Sequence, residues 1–336
     1  MFQRHRQRII ITGIMLLLVI GILIIVLDWQ NTRAVLQAAD WKKSGFALLF
    51  IAGSYFFLSY GYAVVNRVFG IKLNRVHLFD VGFVSAALNN LLDTMGMGGH
   101  ALRIMLMDRS GVSSSQTLAA SIFHSHIHNL GMFCVLPVGL IYLIVNRLVP
   151  PAMMVWLGVF TVIIIAFIIV ATLVVFKRSL RIFVINLLSK LMRFVTRRDS
   201  SSFFTTFDEA MSAGVAVLQD KTRTLLLILF CVAAEWAFML VGFWFCFGAL
   251  GSPVSPGILI TGFAVGISVG NVSMLPGGLG IQEASMAGVY AALGVPFERG
   301  VLVSLLFRTV YDFIPFIISL FFYRGLLKIT HRHMKP

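Results

Sequence analysis

The sequence predicts an all-α protein, a polytopic membrane helix bundle with two re-entrant helical hairpins in an inverted repeat. Three observations predict it. Hydrophobic residues make up 59% of the 336 and charged residues only 12%, about half the charge of a typical soluble domain. Apolar runs long enough to cross roughly 30 Å of hydrocarbon recur along the chain. Two further apolar stretches are interrupted midway by Asn, Gly or Pro, and neither half of them makes a comfortable span.

Taken in order, the clear spans are Ile9 to Leu27, Ser44 to Val65, Thr117 to Val145, Met153 to Phe176, Leu225 to Leu250 and Val301 to Phe322. The first follows a basic N-terminus like that of a signal peptide. Its length and the lack of a small-residue cleavage site make it a transmembrane helix instead. The interrupted stretches are Leu78 to Asp108, broken by Asn89, Asn90 and the Asp93 to His100 segment, and Gly257 to Gly294, broken by Pro276 to Gly280. Backbone freed at membrane depth must be buried in protein or line a wet cavity, so both are expected to be re-entrant. The whole of 1–336 reads as a single membrane domain.

Orientation follows from Lys and Arg. With the N-terminus in the cytoplasm, 21 of the 27 fall inside and five outside (Arg33, Lys42, Lys43, Arg147, Arg299), leaving Arg308 in the membrane. Both termini are then cytoplasmic. This partition and anionic lipid head groups account for the net charge of +14 better than nucleic acid does. Residues 177–222 form a cytoplasmic segment. Its first part, Lys177 to Arg198, is basic and amphipathic, suited to a helix lying on the leaflet or docking a soluble partner. Cys134, Cys231 and Cys246 sit in apolar runs and read as packing residues.

Two units resemble each other. Residues 78–145 run through Gly98-Gly99, Gly111-Val112, Phe123-His124 and His128. Residues 257–323 run through Gly277-Gly278, Gly294-Val295, Phe307-Arg308 and Asp312. In each, a broken hairpin feeds a helix with polar residues at i and i+4, on one face. The topology makes the units inverted, an architecture that places binding sites near the midplane.

Arg308 lies at the expected bilayer centre, where an Arg costs ~2.5–3.5 kcal/mol on insertion scales. Asp312, one turn on, is its nearest candidate partner. Such a guanidinium serves a structural ion pair or binds a phosphate head group. Glu283 follows the Pro-Gly-Gly-Leu-Gly turn, where it also suits a helix cap. Arg103 holds a comparable place after the first turn. Glu235 is expected to pair with a cation inside the bundle. His124 and His128 share a helix face with His100 nearby, while His126 points elsewhere. No carboxylate or Cys completes a ligand set, so these His line a polar cavity rather than hold a metal. No nucleotide loop, nucleophile elbow or paired-carboxylate pattern is present. No catalytic residue and no cofactor are assigned.

The run Leu275 to Glu283, then Leu293 to Pro296 and Phe307-Arg308, resembles the C-terminal signature of the lysylphosphatidylglycerol synthase transmembrane family, also called flippase-like proteins. Leu88 to Leu92 with Gly98-Gly99 and Arg103 resembles its N-terminal one. The resemblance implies movement of aminoacylated or other lipid-linked substrates across the inner (plasma) membrane, by a stand-alone protein without the family's cytoplasmic synthase domain. The chain departs from the family pattern at Asp93, His100, His124, His128 and Gln282. These positions lie in the expected site, which leaves the head group open.

The expected function is thus a lipid flippase, not an enzyme, with an anionic phospholipid or lipid-linked substrate as partner. Arg103 and Arg308 are expected to neutralise a phosphate, and Glu283 and Asp312 to balance charge or take a cationic head group. Asn89, Asn90, His100, His124, His128, Gly277, Gly278 and Gln282 complete the expected substrate-binding set. The rivals are a membrane-embedded His- or metal-dependent lipid-modifying enzyme, and a subunit that partners a separate cytoplasmic one.

Overall fold

A computed structural model describes residues 29–92, 97–196, 201–273 and 278–333. Among these there is no β-strand, and the fold is an all-α polytopic membrane bundle. The expected span Ile9 to Leu27 lies outside the described residues, as do Asp93 and Gly277.

The helices are α1 (Trp29–Gln37), α2 (Trp41–Val68), α3 (Arg75–Leu92), α4 (Met97–Asp108), α5 (Ser114–Val145), α6 (Pro151–Phe176), α7 (Arg178–Thr196), α8 (Ser201–Asp220), α9 (Thr222–Ala249), α10 (Pro256–Val272), α11 (Ile281–Ala292), α12 (Phe297–Arg308) and α13 (Ile314–His333). A π-helical turn, Thr309–Phe313, joins the last two. Five stretches are long and apolar enough to cross a membrane: Trp41–Val68, Ser114–Val145, Met154–Phe176, Thr222–Ala249 and Phe297–Leu327. They correspond to five of the expected spans, with ends that differ by up to five residues.

Helix starts follow local chemistry. Ser113 and Ser255 accept from the amides of Gln116 (3.3 Å) and Ile258 (3.4 Å) and so cap α5 and α10. Pro151 opens α6 at a position where its missing N–H costs nothing.

The two longest-paired elements, α2 and α9, run antiparallel. Gly61 approaches Cys231, Gly242 approaches Ile51, and Lys43 donates to the Gly248 carbonyl at 3.5 Å. The remaining contacts sort the surface cations by end. Arg299 donates to Gly251 and Ser252, beside Lys43. At the opposite end Gln116 donates to the Phe69 carbonyl, near Arg67. Lys43 and Arg299, both expected outside, therefore share one end of the bundle, opposite Arg67.

Each interrupted stretch is a pair of antiparallel helices. In the first, Gly99 meets Asn89 and Arg103 meets Ser85. In the second, Gly262 faces Tyr290, Gly266 faces Met286 and Gly270 faces Gln282. The missing side chains on one helix make room for large ones on the other. Where helices gain nothing from hiding from lipid, such close approach drives their association. Gly278 (φ 57°) and Gly280 (φ 81°) take left-handed backbone just before α11, which suits residues without a Cβ.

Three expectations need correction. Asn89 and Asn90 do not interrupt a helix; they belong to the last turn of α3, where Asn90 donates to the Tyr55 hydroxyl at 3.0 Å. Val301 to Phe322 is not one regular helix, because the π turn inserts after Arg308. The basic helix α7 is less free to dock a partner than its charge suggests. Asp208 of α8 accepts from Arg178 (3.0 Å) and Arg181 (2.7 Å), and Arg181 is buried.

Candidate functional site

A cavity of about 390 Å³ opens where the two hairpins meet α5 and α9. Its volume falls within the range of small-molecule sites. The first hairpin supplies Asn89, Asn90, Gly99, His100 and Arg103; α5 supplies His124, Ser125, His128 and Asn129. The second unit supplies Gln282, Phe307, Arg308, Tyr311 and Asp312, and α9 supplies Trp236. Nine of the residues expected at a site, drawn from both halves of the chain, thus face one space.

Arg308 ends α12 and is 5% exposed. Its Nε is ion-paired to Glu283, its Nη2 donates to Gln282 Oε1 at 3.2 Å, and Asp312 stands 3.8 Å away. Asp312, the expected partner, does pair with Arg308, but Glu283 pairs with it more closely. The reason is position: the second carboxylate oxygen of Glu283 accepts from the Gly280 amide at 2.7 Å, which satisfies a free amide at the helix start and holds the first oxygen towards Arg308. Glu283 therefore caps a helix and neutralises a cation at once. It sits behind Arg308 and is not itself part of the wall.

Arg103 contrasts with Arg308. It is 6% exposed. Its Nε donates to Ser85 Oγ at 2.8 Å, and its guanidinium lies 4.5 Å from the centre of the Tyr62 ring. No carboxylate approaches it within ion-pair distance among the described residues. A hydroxyl and a π face orient this cation without cancelling its charge.

The histidines divide. His128 Nδ1 is 2.9 Å from Glu235 Oε1, so the buried Glu235 finds its partner in the bundle at His128. Trp236 Nε1 donates to the His128 carbonyl at 3.1 Å and fixes that turn of α5. His100 Nε2 is 3.5 Å from Ser125 Oγ, and its Nδ1 has no hydrogen-bond partner among the described residues. His124 packs edge-on to Tyr62. His126 points away from the cavity, towards Thr172 on α6 (3.3 Å). Among the described residues no three His, Cys, Asp or Glu gather as a metal site.

The π turn links the halves. It offers the Tyr311 carbonyl to the Tyr55 hydroxyl (2.9 Å), which in turn accepts from Asn90. It also brings Tyr311 and Asp312 onto the cavity wall. Such turns recur at functional sites because one extra residue re-aims its neighbours. Gly278 lies against Gly270 and Gln282, at the turn of the second hairpin.

Tyr55, Tyr62, Ser85, Ser125, Trp236 and Tyr311 were missed from sequence. Of these Ser125 was findable, as was Asn129, also missed, since each adjoins a predicted His on one polar stripe of α5. The others are polar groups in apolar runs, and nothing local marks them.

Comparison with known proteins finds that residues 10–319 match the family described as the lysylphosphatidylglycerol synthase TM region. The "UPF0104 membrane protein PH1989" of Pyrococcus horikoshii is 20% identical over 333 residues, covering 95% of this chain and 97% of that protein. The phosphatidylglycerol lysyltransferase of Staphylococcus aureus strain COL is 36% identical over 86 residues, 26% of this chain and 10% of that enzyme. The lysyltransferase of strain N315 matches to the same extent.

Proposed function

The chain belongs to the lysylphosphatidylglycerol synthase TM-region family, and on that premise we propose that it is a flippase-like transporter. It moves an anionic phospholipid, aminoacyl-phospholipid or lipid-linked head group across the inner membrane through the central cavity. It does so without catalysing a covalent step. The observation that carries this reading is Arg103, a buried guanidinium on the cavity wall with no carboxylate in ion-pair reach among the described residues. A buried charge is tolerated in a membrane when a partner or a wet cavity answers it. A phosphate passing through the cavity answers it, and bidentate pairing suits an Arg.

Arg308 plays a different part. With Glu283 bonded to it and Asp312 close by, this group is balanced or slightly negative. It suits the cationic end of a zwitterionic head group, with the phosphate at Arg103. The two hairpins act as inverted, re-entrant elements whose relative tilt opens the cavity to one leaflet and then the other. The antiparallel pairing in each and their convergence on one space support that scheme. With both termini in the cytoplasm, the end bearing Arg67 faces inside.

The test is leaflet exchange in proteoliposomes. Fluorescent phosphatidylglycerol is followed by chemical quenching of the outer-leaflet pool. Arg103→Gln is expected to lower the exchange rate at least tenfold while the purified variant stays monodisperse. Exchange at the wild-type rate in that variant removes Arg103 from the mechanism. Exchange no faster than in empty liposomes with the wild-type chain removes the transport reading for this lipid.

A further inference from the structure

A second recess, about 690 Å³ in volume, lies on the outside of the bundle between α2, α3 and the junction of α8 with α9. It shares no residue with the central cavity. Its two ends differ in chemistry. At one end are Arg67 in the last turn of α2, Arg75 at the start of α3 and Lys221 between α8 and α9. Along its length run Phe56, Tyr60 and Val64, spaced four apart on one stripe of α2, with Phe79 of α3 and Leu227 of α9 opposite. From Phe56 to Arg67 the helix rises about 16 Å, close to the depth of one leaflet's hydrocarbon.

The apolar wall is open. Phe56 is 51% exposed and Val76 65% exposed. The three cations are exposed, and none makes an ion pair among the described residues. They come from three separate elements, and the loops between those elements are what the fold uses to bring them together. They also lie at the end of the bundle where the chain's basic residues collect. An apolar trough one leaflet deep, with three unanswered positive charges at its mouth, matches one occupant in both shape and charge.

We propose that this groove is a binding site for an anionic phospholipid. The phosphate rests on Arg67, Arg75 and Lys221, and one acyl chain lies along Phe56, Tyr60 and Phe79. Basic clusters at helix ends on the membrane surface attract anionic lipids, more strongly with each cation added. Three cations holding one phosphate, with a fitted trough for the chain, select a lipid by head group where the rest of the lipid-facing surface selects by chain alone. This site stands whether or not the central cavity transports lipid.

The experiment is photo-crosslinking of the full chain in phosphatidylcholine vesicles. The vesicles carry a trace of phosphatidylglycerol with a diazirine on its acyl chain or, in parallel, matched diazirine phosphatidylcholine. Labelled peptides are mapped by mass spectrometry. The phosphatidylglycerol probe is expected to label the 56–79 region at least fivefold more than the phosphatidylcholine probe. The triple variant Arg67→Gln, Arg75→Gln, Lys221→Gln is expected to bring the two probes within twofold. All three side chains are exposed, so the variant should elute as the wild type does. Arg103→Gln is expected to leave the groove's preference in place, which separates this site from the central one. Equal labelling by both probes in the wild type overturns the proposal. So does a preference that survives in the triple variant, or a groove that crosslinks to a second copy of the chain and to neither lipid.

Discussion

Arg308 and Arg103 show how two similar side chains come to different ends. Both are buried, at 5% and 6% exposure. Arg308 is matched by Glu283, and breaking a buried pair from one side strands the other charge, at a cost of about 3–5 kcal/mol. Glu283→Gln is therefore expected to lower the thermal unfolding midpoint sharply in detergent. Glu283→Gln combined with Arg308→Met and Asp312→Asn, which leaves no orphaned charge among the three, is expected to recover much of the loss. A midpoint in Glu283→Gln equal to the wild type's would mean that the pair is not formed. Arg103 has no such partner to strand, so Arg103→Gln should lose transport with little change in stability. Sequence alone made both Arg residues candidates. It could not rank Glu283 above Asp312 as partner, because the capping geometry at Gly280 that aims Glu283 is a property of the folded turn.

The hairpins depend on glycine at positions where two helices nearly touch. A Cβ on Gly99 would meet Asn89 Cβ at 2.9 Å and the Ser85 carbonyl at 3.0 Å. Backbone cannot give way as a flexible side chain does, so Gly99→Ala is expected to push α4 off α3 and carry His100 and Arg103 with it. Its signature is a large loss of exchange rate with helix content retained by circular dichroism. Unchanged exchange would mean that the hairpin tolerates the shift. At this scale the long apolar spans were legible, because their length and hydropathy are local properties. The π turn was not. An extra residue in one helical turn leaves no composition signal, yet it is what aims Tyr311 and Asp312. The placement of Asn89 and Asn90 inside α3 was missed for a related reason: Tyr55, 35 residues away, satisfies Asn90.

For the whole molecule, the claim is that two oppositely oriented units share one cavity. The ends of α4 and α11 test the orientation. Ser110 at the end of α4 touches His77 of α3 (3.1 Å), near Arg75. Gly294 follows α11 and leads to Arg299, at the end that carries Lys43. In a background with Cys134, Cys231 and Cys246 replaced, Asp108→Cys and Ala292→Cys are expected to react with an impermeant thiol reagent from opposite sides. Labelling of both from one side would break the inverted arrangement. Sequence suggested the two units through their shared spacing and grouped their polar residues in one expected site, but not the contacts that join them, since these depend on packing between residues about 200 positions apart. The central claim is that an anionic head group occupies this shared cavity at Arg103. The most direct measurement is an electron-microscopy structure of the chain in a phosphatidylglycerol-containing bilayer. The account predicts a lipid phosphate within about 3 Å of the Arg103 guanidinium, as a charge-assisted hydrogen bond requires. A cavity that holds water alone, with every lipid confined to the outer surface, would contradict it.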